Sequence, residues 1–162
     1  MVIAVILLAI SQLPLMYYYV VKPGLPPDAN AAPQRIVSLS PNLTEIVFAL
    51  GLGDRVVGVS NNCDWPVEAK QKPKMGTFWQ PNTEAIIAAK PDLVVCESFL
   101  QHKEVAETLK RTGLRVVSLR AESIEELYNV IIQIGQAAGC ADKAEPLAAK
   151  IKSGIDQIRA QS

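Results

Sequence analysis

The chain has 162 residues, 49% of them hydrophobic and 20% charged, a length that supports one domain with a single core rather than two. Sixteen basic residues balance 16 acidic ones, so no broad positive field draws the chain to a nucleic-acid backbone, and nucleic acid is excluded as a partner. A single histidine, His102, excludes a His-rich zinc site, and the three cysteines, Cys63, Cys96 and Cys140, lack metal-ligand spacing.

Residues 1–21 carry no charged side chain and are interrupted only by Ser11, Gln12 and Pro14. Such a run is long enough to cross a bilayer as a helix, and it reads as an export signal or a membrane anchor. No Lys or Arg precedes it, whereas Ala29-Asn30-Ala31 offers an A-x-A cleavage sequence, so both removal and retention stay open. Either outcome places the domain outside the cytoplasm. Residues 22–34 (KPGLPPDANAAPQ) lack an apolar period and read as a linker. The cysteines then read as one disulfide with a free thiol, or as three small buried residues.

Four β-branched runs follow, at residues 35–39 (RIVSL), 55–59 (RVVGV), 92–96 (DLVVC) and 115–119 (RVVSL). Near-continuous Val, Ile and Leu predicts strands covered on both faces. Helical patterns lie between them. Ser40-Pro41 offers a cap with proline at the first helical position, and Asn42 with Glu45 offers an alternative capping box. Leu43, Ile46, Val47 and Leu50 form one stripe that Gly51 stops. Asn82 caps a helix through Ala89, residues 101–112 make a third, and Ser123 with Glu126 opens a fourth. Residues 142–161 carry a last stripe through Leu147, Ile151, Ile155 and Ile158.

Strands alternating with helices over short loops predict an α/β lobe of three layers, with helices on both faces of a mainly parallel sheet. Ligands of such sheets bind beyond the carboxyl ends of the strands, which directs attention to residues 40–42, 60–66, 97–101 and 120–123. Gly51-x-Gly53 precedes a strand and lacks a third glycine at Val56, so it is a helix stop rather than a dinucleotide fingerprint. No phosphate-binding loop and no G-x-S-x-G elbow occurs. Cys63 and His102 both follow strands and could meet as nucleophile and base, with Asp64 nearby; the plainer reading makes Asp64 a turn residue and His102 a surface residue.

Trp65, Phe78 and Trp79 fall in two loops on one rim of that sheet. They read either as covers over the core or as aromatic walls for a large, flat, partly apolar ligand. Glu84 lies in the first turn of its helix, where the helix dipole alone favours a carboxylate by about 0.3–1 kcal/mol. Lys70, Lys72 and Lys74 read as a solvated loop.

The segments RIVSLSPNLTEIVFALGLGDRVVGVSNNCDWP and MGTFWQPNTEAIIAAKPDLVV, followed by the long terminal helix, closely resemble the cobalamin-binding proteins of ABC importers. These belong to a wider family of helical-backbone receptors for metal chelates that also takes up ferric siderophores and haem. The resemblance covers residues 35–162 and implies a receptor without catalytic residues, metal site or resident cofactor, whose cargo is the chelate. It implies two lobes joined by one rigid helix, with residues 35–140 as the first lobe, 141–162 as the start of that helix, and the second lobe absent or separately encoded. It implies docking on the permease subunits through an acid, here Glu84, and anchoring to the membrane through residues 1–21 if they are retained. Cobalamin-binding relatives carry aromatics at the positions of Asn62, Phe78 and Glu97; only Phe78 keeps one, with Trp65 and Trp79 close by, so cobalamin, an iron chelate and haem all stay open. The rival reading is an α/β enzyme using Cys63 or Asp64, and a third is a membrane-tethered scaffold without a ligand.

Overall fold

In the computed structural model, which describes residues 31–161, the four β-branched runs form four parallel strands. They are β1 (Ile36–Ser38), β2 (Val56–Val59), β3 (Leu93–Glu97) and β4 (Val116–Leu119), in the spatial order β2-β1-β3-β4. The helices between and after them are α1 (Pro41–Ala49), α2 (Val67–Lys70), α3 (Thr83–Ala88), α4 (Leu100–Arg111), α5 (Ile124–Ala137) and α6 (Ala141–Arg159). The apolar run at 1–21 and most of the linker lie outside the described residues. Among the described residues, no helix is long and apolar enough to cross a membrane.

The alternation of side chains along each strand sorts the core into two layers. Ile36, Leu93 and Val95 pack with Leu43 and Val47 of α1, Ile131 and Ile134 of α5 and Ala144 of α6. Val37, Leu39, Val94 and Cys96 point the other way, against Ile86 of α3 and Ala106 and Leu109 of α4. The three-layer α/β/α architecture follows, and each fully buried Leu or Ile contributes about 1.5–3 kcal/mol of apolar transfer. β1 and β3 are buried throughout, as expected. β4 departs from the expectation: Val116 and Val117 are half-buried and Ser118 is exposed, because β4 pairs on one side only among the described residues.

Helix starts follow their caps. Asn82 Oδ1 accepts the Ala85 N–H at 3.0 Å, and Ser123 Oγ accepts the Glu126 N–H at 3.1 Å. For α1 the structure selects Ser40 as the N-cap position with Pro41 first in the helix, which leaves Asn42 free for another task. Helix α2 was not anticipated, since four residues with only Ala69 buried are too few to leave a period. Gly135 lets α6 lie close on α5: a Cβ there would fall 2.3 Å from the Ala144 Cβ. All three cysteines are buried thiols, the second of the two readings above.

The strand order fixes where a ligand site belongs. The chain leaves β1 for β2 on one side and returns to β3 on the other, so the connections diverge at the carboxyl ends of β1 and β3. Such a switch point opens a crevice above the sheet.

Candidate functional site at the carboxyl ends of the strands

Ser38 of β1 registers with Val95 of β3, so the chain continues with Ser40 and Glu97 side by side at the switch point. Glu97 is 5% exposed, and its Oε1 accepts a hydrogen bond from Asn42 Nδ2 at 2.6 Å. Among the described residues, Glu97 Oε2 and Ser40 Oγ are buried without a hydrogen-bond partner. A buried acceptor left unpaired costs about 1–3 kcal/mol, a cost that a donor from a bound molecule would remove. Asn42 lies in the post-strand segment 40–42 that the sequence marked for inspection, but its partner Glu97, 55 residues away, was not legible there.

The loop between β2 and α3 carries the aromatics. Residues 76–81 close on themselves: Asn61 N donates to Gly76 O at 2.8 Å, Thr77 N to Gln80 O at 3.1 Å, and Asn82 N to Met75 O at 2.8 Å. Gly76 makes this closure with φ +88, and a Cβ there would stand 2.5 Å from Gln80 O. At the loop's tip the Phe78 ring meets Trp79 edge-on at 4.8 Å, Phe99 at 5.9 Å and the His102 ring at 4.8 Å. The Arg120 guanidinium sits 4.6 Å over the Phe99 ring and pairs with Glu122 at 2.8 Å.

The rim therefore assembles some expected residues and separates others. Asn62, Phe78 and Trp79 come together, because Asn62 Oδ1 accepts the Phe78 N–H at 2.8 Å. Phe78 is half-buried while Trp79 stands 62% exposed. Trp65, 65% exposed, lines a separate groove of about 690 Å³ with Asn42, Glu45, Pro66, Leu127 and Ile151. Asn42 belongs to both this groove and the Glu97 contact. Glu84 is exposed in the first turn of α3 and forms no salt bridge among the described residues.

Two expectations are corrected. His102 is no surface residue: it is 1% exposed, and its Nε2–H donates to the Phe78 carbonyl at 2.6 Å. The first turn of α4 packs under the aromatic loop, and an imidazole there fills apolar space while meeting a backbone acceptor. Lys74 is also more than a solvated lysine, since its Nζ donates to Cys63 O at 3.2 Å.

The nucleophile arrangement does not form. Cys63 is fully buried, with Thr44 Oγ1 and Ser60 Oγ each 3.1 Å from its sulfur, and His102 is committed to Phe78. Burial pushes the Cys96 thiol up, away from the thiolate a nucleophile needs. Among the described residues no group of His, Cys, Asp or Glu could hold a metal ion. What the rim offers is an aromatic platform and a buried acceptor, with no assembled acid–base pair.

Phe99, His102 and Arg120 went unassigned or misassigned in the sequence, although Phe99 and Arg120 fall in two of the post-strand segments that strand order makes important. Their roles depend on contacts between segments far apart in the chain, which the sequence pattern does not carry.

The same fold occurs in known proteins. The chain is 41% identical over 130 residues to the uncharacterized ABC transporter substrate-binding lipoprotein YvrC of Bacillus subtilis, covering 78% of this chain and 41% of that protein. It is 31% identical over 133 residues to the vitamin B12-binding protein of Vibrio parahaemolyticus, covering 82% of this chain and 48% of the relative. The solved structure of a possible iron-binding (periplasmic solute-binding) protein from Staphylococcus epidermidis superposes with a TM-score of 0.72 at 36% identity, over 79% of this chain and 51% of that one. The chain thus spans about half the length of the curated relatives it matches. With the periplasmic binding protein family model matching residues 36–161, the chain belongs to that family of ABC-importer substrate-binding proteins, whose members bind cobalamin, siderophores or haem.

Proposed function

We propose that this chain is the substrate-binding component of an ABC-type importer for a metal chelate, and that the chelate is cobalamin or a related corrinoid. In this reading residues 35–140 form one ligand-binding lobe, and 141–162 begin the helix that connects it to the other lobe. The protein works outside the cytoplasm, exported or anchored through residues 1–21, and hands its cargo to the permease subunits. Trp65, Phe78, Trp79, Asn62 and Glu97 serve the ligand, and the exposed Glu84 serves docking.

The observation that carries the reading is the Phe78–Trp79–Phe99 platform beside the buried carboxyl of Glu97 at the switch point. Aromatic faces suit a large planar macrocycle. The unpartnered Glu97 Oε2 supports a ligand that brings hydrogen-bond donors. Cobalamin carries primary amides around its ring, which donate to such a carboxylate, whereas ionised haem propionates do not; the Ser40 hydroxyl, both donor and acceptor, suits either. Arg120 could answer a carboxylate, but Glu122 already engages it. Ferric siderophore and haem remain the alternatives that the Staphylococcus relative and the wider family keep in view.

Titration of the whole receptor polypeptide with cyanocobalamin, haemin and ferrichrome tests the choice. Saturable one-to-one binding led by cyanocobalamin is expected; preference for haemin would move the assignment to haem, and turnover of any probe would return the enzyme reading. Charge reversal with Glu84→Arg should leave that affinity unchanged and abolish uptake in cells. Full uptake by the variant removes Glu84 from docking.

A further inference from the structure

The backbone of Phe78 is held on both sides of its Cα by side chains of other segments. Asn62 Oδ1, from the segment after β2, accepts its N–H at 2.8 Å, and His102 Nε2–H, from α4, donates to its carbonyl at 2.6 Å. His102 acts twice on the same residue, since its ring also lies 4.8 Å from the Phe78 ring. These two side chains lie 16 and 24 residues from Phe78 in sequence, so the hold is tertiary and not a property of the loop itself.

We infer that Asn62 and His102 are positioning residues that form a two-point clamp on the Phe78 backbone, fixing the Phe78–Trp79 platform before a ligand arrives. The inference rests on the reading of that platform as a ligand wall, and it assigns Asn62 a task other than touching the ligand. Both backbone hydrogen-bonding groups of Phe78, its N–H in the 77–78 peptide and its carbonyl in the 78–79 peptide, are satisfied by the clamp, so the turn cannot rotate that carbonyl outward without breaking the contact to His102. Trp79 is exposed but follows Phe78 directly and packs edge-on against its ring, so fixing the two peptides that flank Phe78 sets the direction of both aromatics. A wall fixed in advance spends less of its contact energy on ordering when a macrocycle docks. The burial of His102 fits this task, because a donor aimed at one carbonyl is most directional where water does not compete.

The 162 residues hold two tryptophans, so Trp65→Phe leaves Trp79 as the single tryptophan among them, excited selectively over the four tyrosines. In that background His102→Leu and Asn62→Ala each remove one arm, whereas His102→Gln retains a donor near the Nε2 position and Asn62→Asp retains an acceptor. Acrylamide quenching of Trp79 and amide hydrogen exchange across residues 77–80 read the clamp without any ligand; cyanocobalamin affinity reads its consequence. The Leu and Ala variants should speed exchange of the loop amides by about three- to tenfold and weaken cyanocobalamin by a similar factor, as the loss of one net hydrogen bond implies. The Gln and Asp variants should restore both to within about twofold. That rescue separates positioning from general structural damage, and if His102→Leu does not fold, the Asn62 pair carries the same test at an exposed site. Exchange and quenching at parental values in Asn62→Ala would overturn the clamp; a loosened loop with undiminished affinity would overturn its role in fixing the wall. Should the parent bind no cyanocobalamin, the corrinoid reading falls, while the exchange data still decide the clamp.

Discussion

The two exposed tryptophans of this lobe share almost the same accessibility, 65% for Trp65 and 62% for Trp79, yet they are held in different ways. Trp79 rides on Phe78, whose ring touches three other rings and whose backbone N–H and carbonyl are both hydrogen-bonded. Trp65 has no ring partner among the described residues and lies along the groove beside α1, α5 and α6, just after the buried Cys63. Exposure alone therefore says little about readiness to bind. A fixed aromatic contributes a preformed surface, whereas a loosely held one adapts at an entropic cost of about 0.5–1.5 kcal/mol per ordered side chain.

The comparison breaks most completely at Gly76. Gly76→Ala demands a positive φ from alanine and drives a Cβ to 2.5 Å from Gln80 O, so the closed loop must open. A stability loss of about 1–3 kcal/mol is expected, together with quenching of Trp79 that matches Trp65; urea unfolding and single-tryptophan quenching measure the two. An unchanged midpoint would show that the loop tolerates an L side chain at this φ.

Phe78→Ala should cost less stability but remove the difference between the tryptophans just as fully. Edge-to-face pairs contribute about 0.5–1.5 kcal/mol each, so the loss of these ring contacts should be visible in thermal unfolding and in weaker chelate binding. Affinity unchanged from the parent would dismiss the wall. Trp65→Ala is the mildest of the three: the side chain is exposed and without ring partners, so stability should move by no more than about 0.5 kcal/mol. Any affinity it loses then measures what a loosely held aromatic contributes, and a stability loss several times larger would mean that Trp65 covers the groove in the folded state.

Much of the fold was legible because its signals are local. The β-branched runs RIVSL, RVVGV and RVVSL each contain a strand and DLVVC holds all but the last residue of one, and Asn82 and Ser123 cap the helices they were expected to cap. The edge position of β4 and the short α2 were not legible, since strand order and four-residue helices leave no period. The rim was legible in part. Aromatic loops and post-strand segments marked Phe78, Trp79, Trp65, Asn42 and Glu97 as residues to inspect, but His102 read as a surface residue and the partner of Asn42 left no signal. The tasks of His102 and Asn42 lie 24 and 55 residues away along the chain, at Phe78 and Glu97.

The sequence by itself determined the alternation of strand and helix and the apolar faces, because propensity, periodicity and capping act over a few neighbouring residues, and the resemblance of its motif segments pointed to the family. Only the tertiary structure decided which rim side chains meet. The parallel register of β1 with β3 sets Ser40 beside Glu97, and the packing of α4 on the sheet delivers His102 to the Phe78 carbonyl. Those meetings depend on distances between strands and layers, a scale at which a hydrogen bond formed or missed by an ångström separates a clamped wall from a loose one.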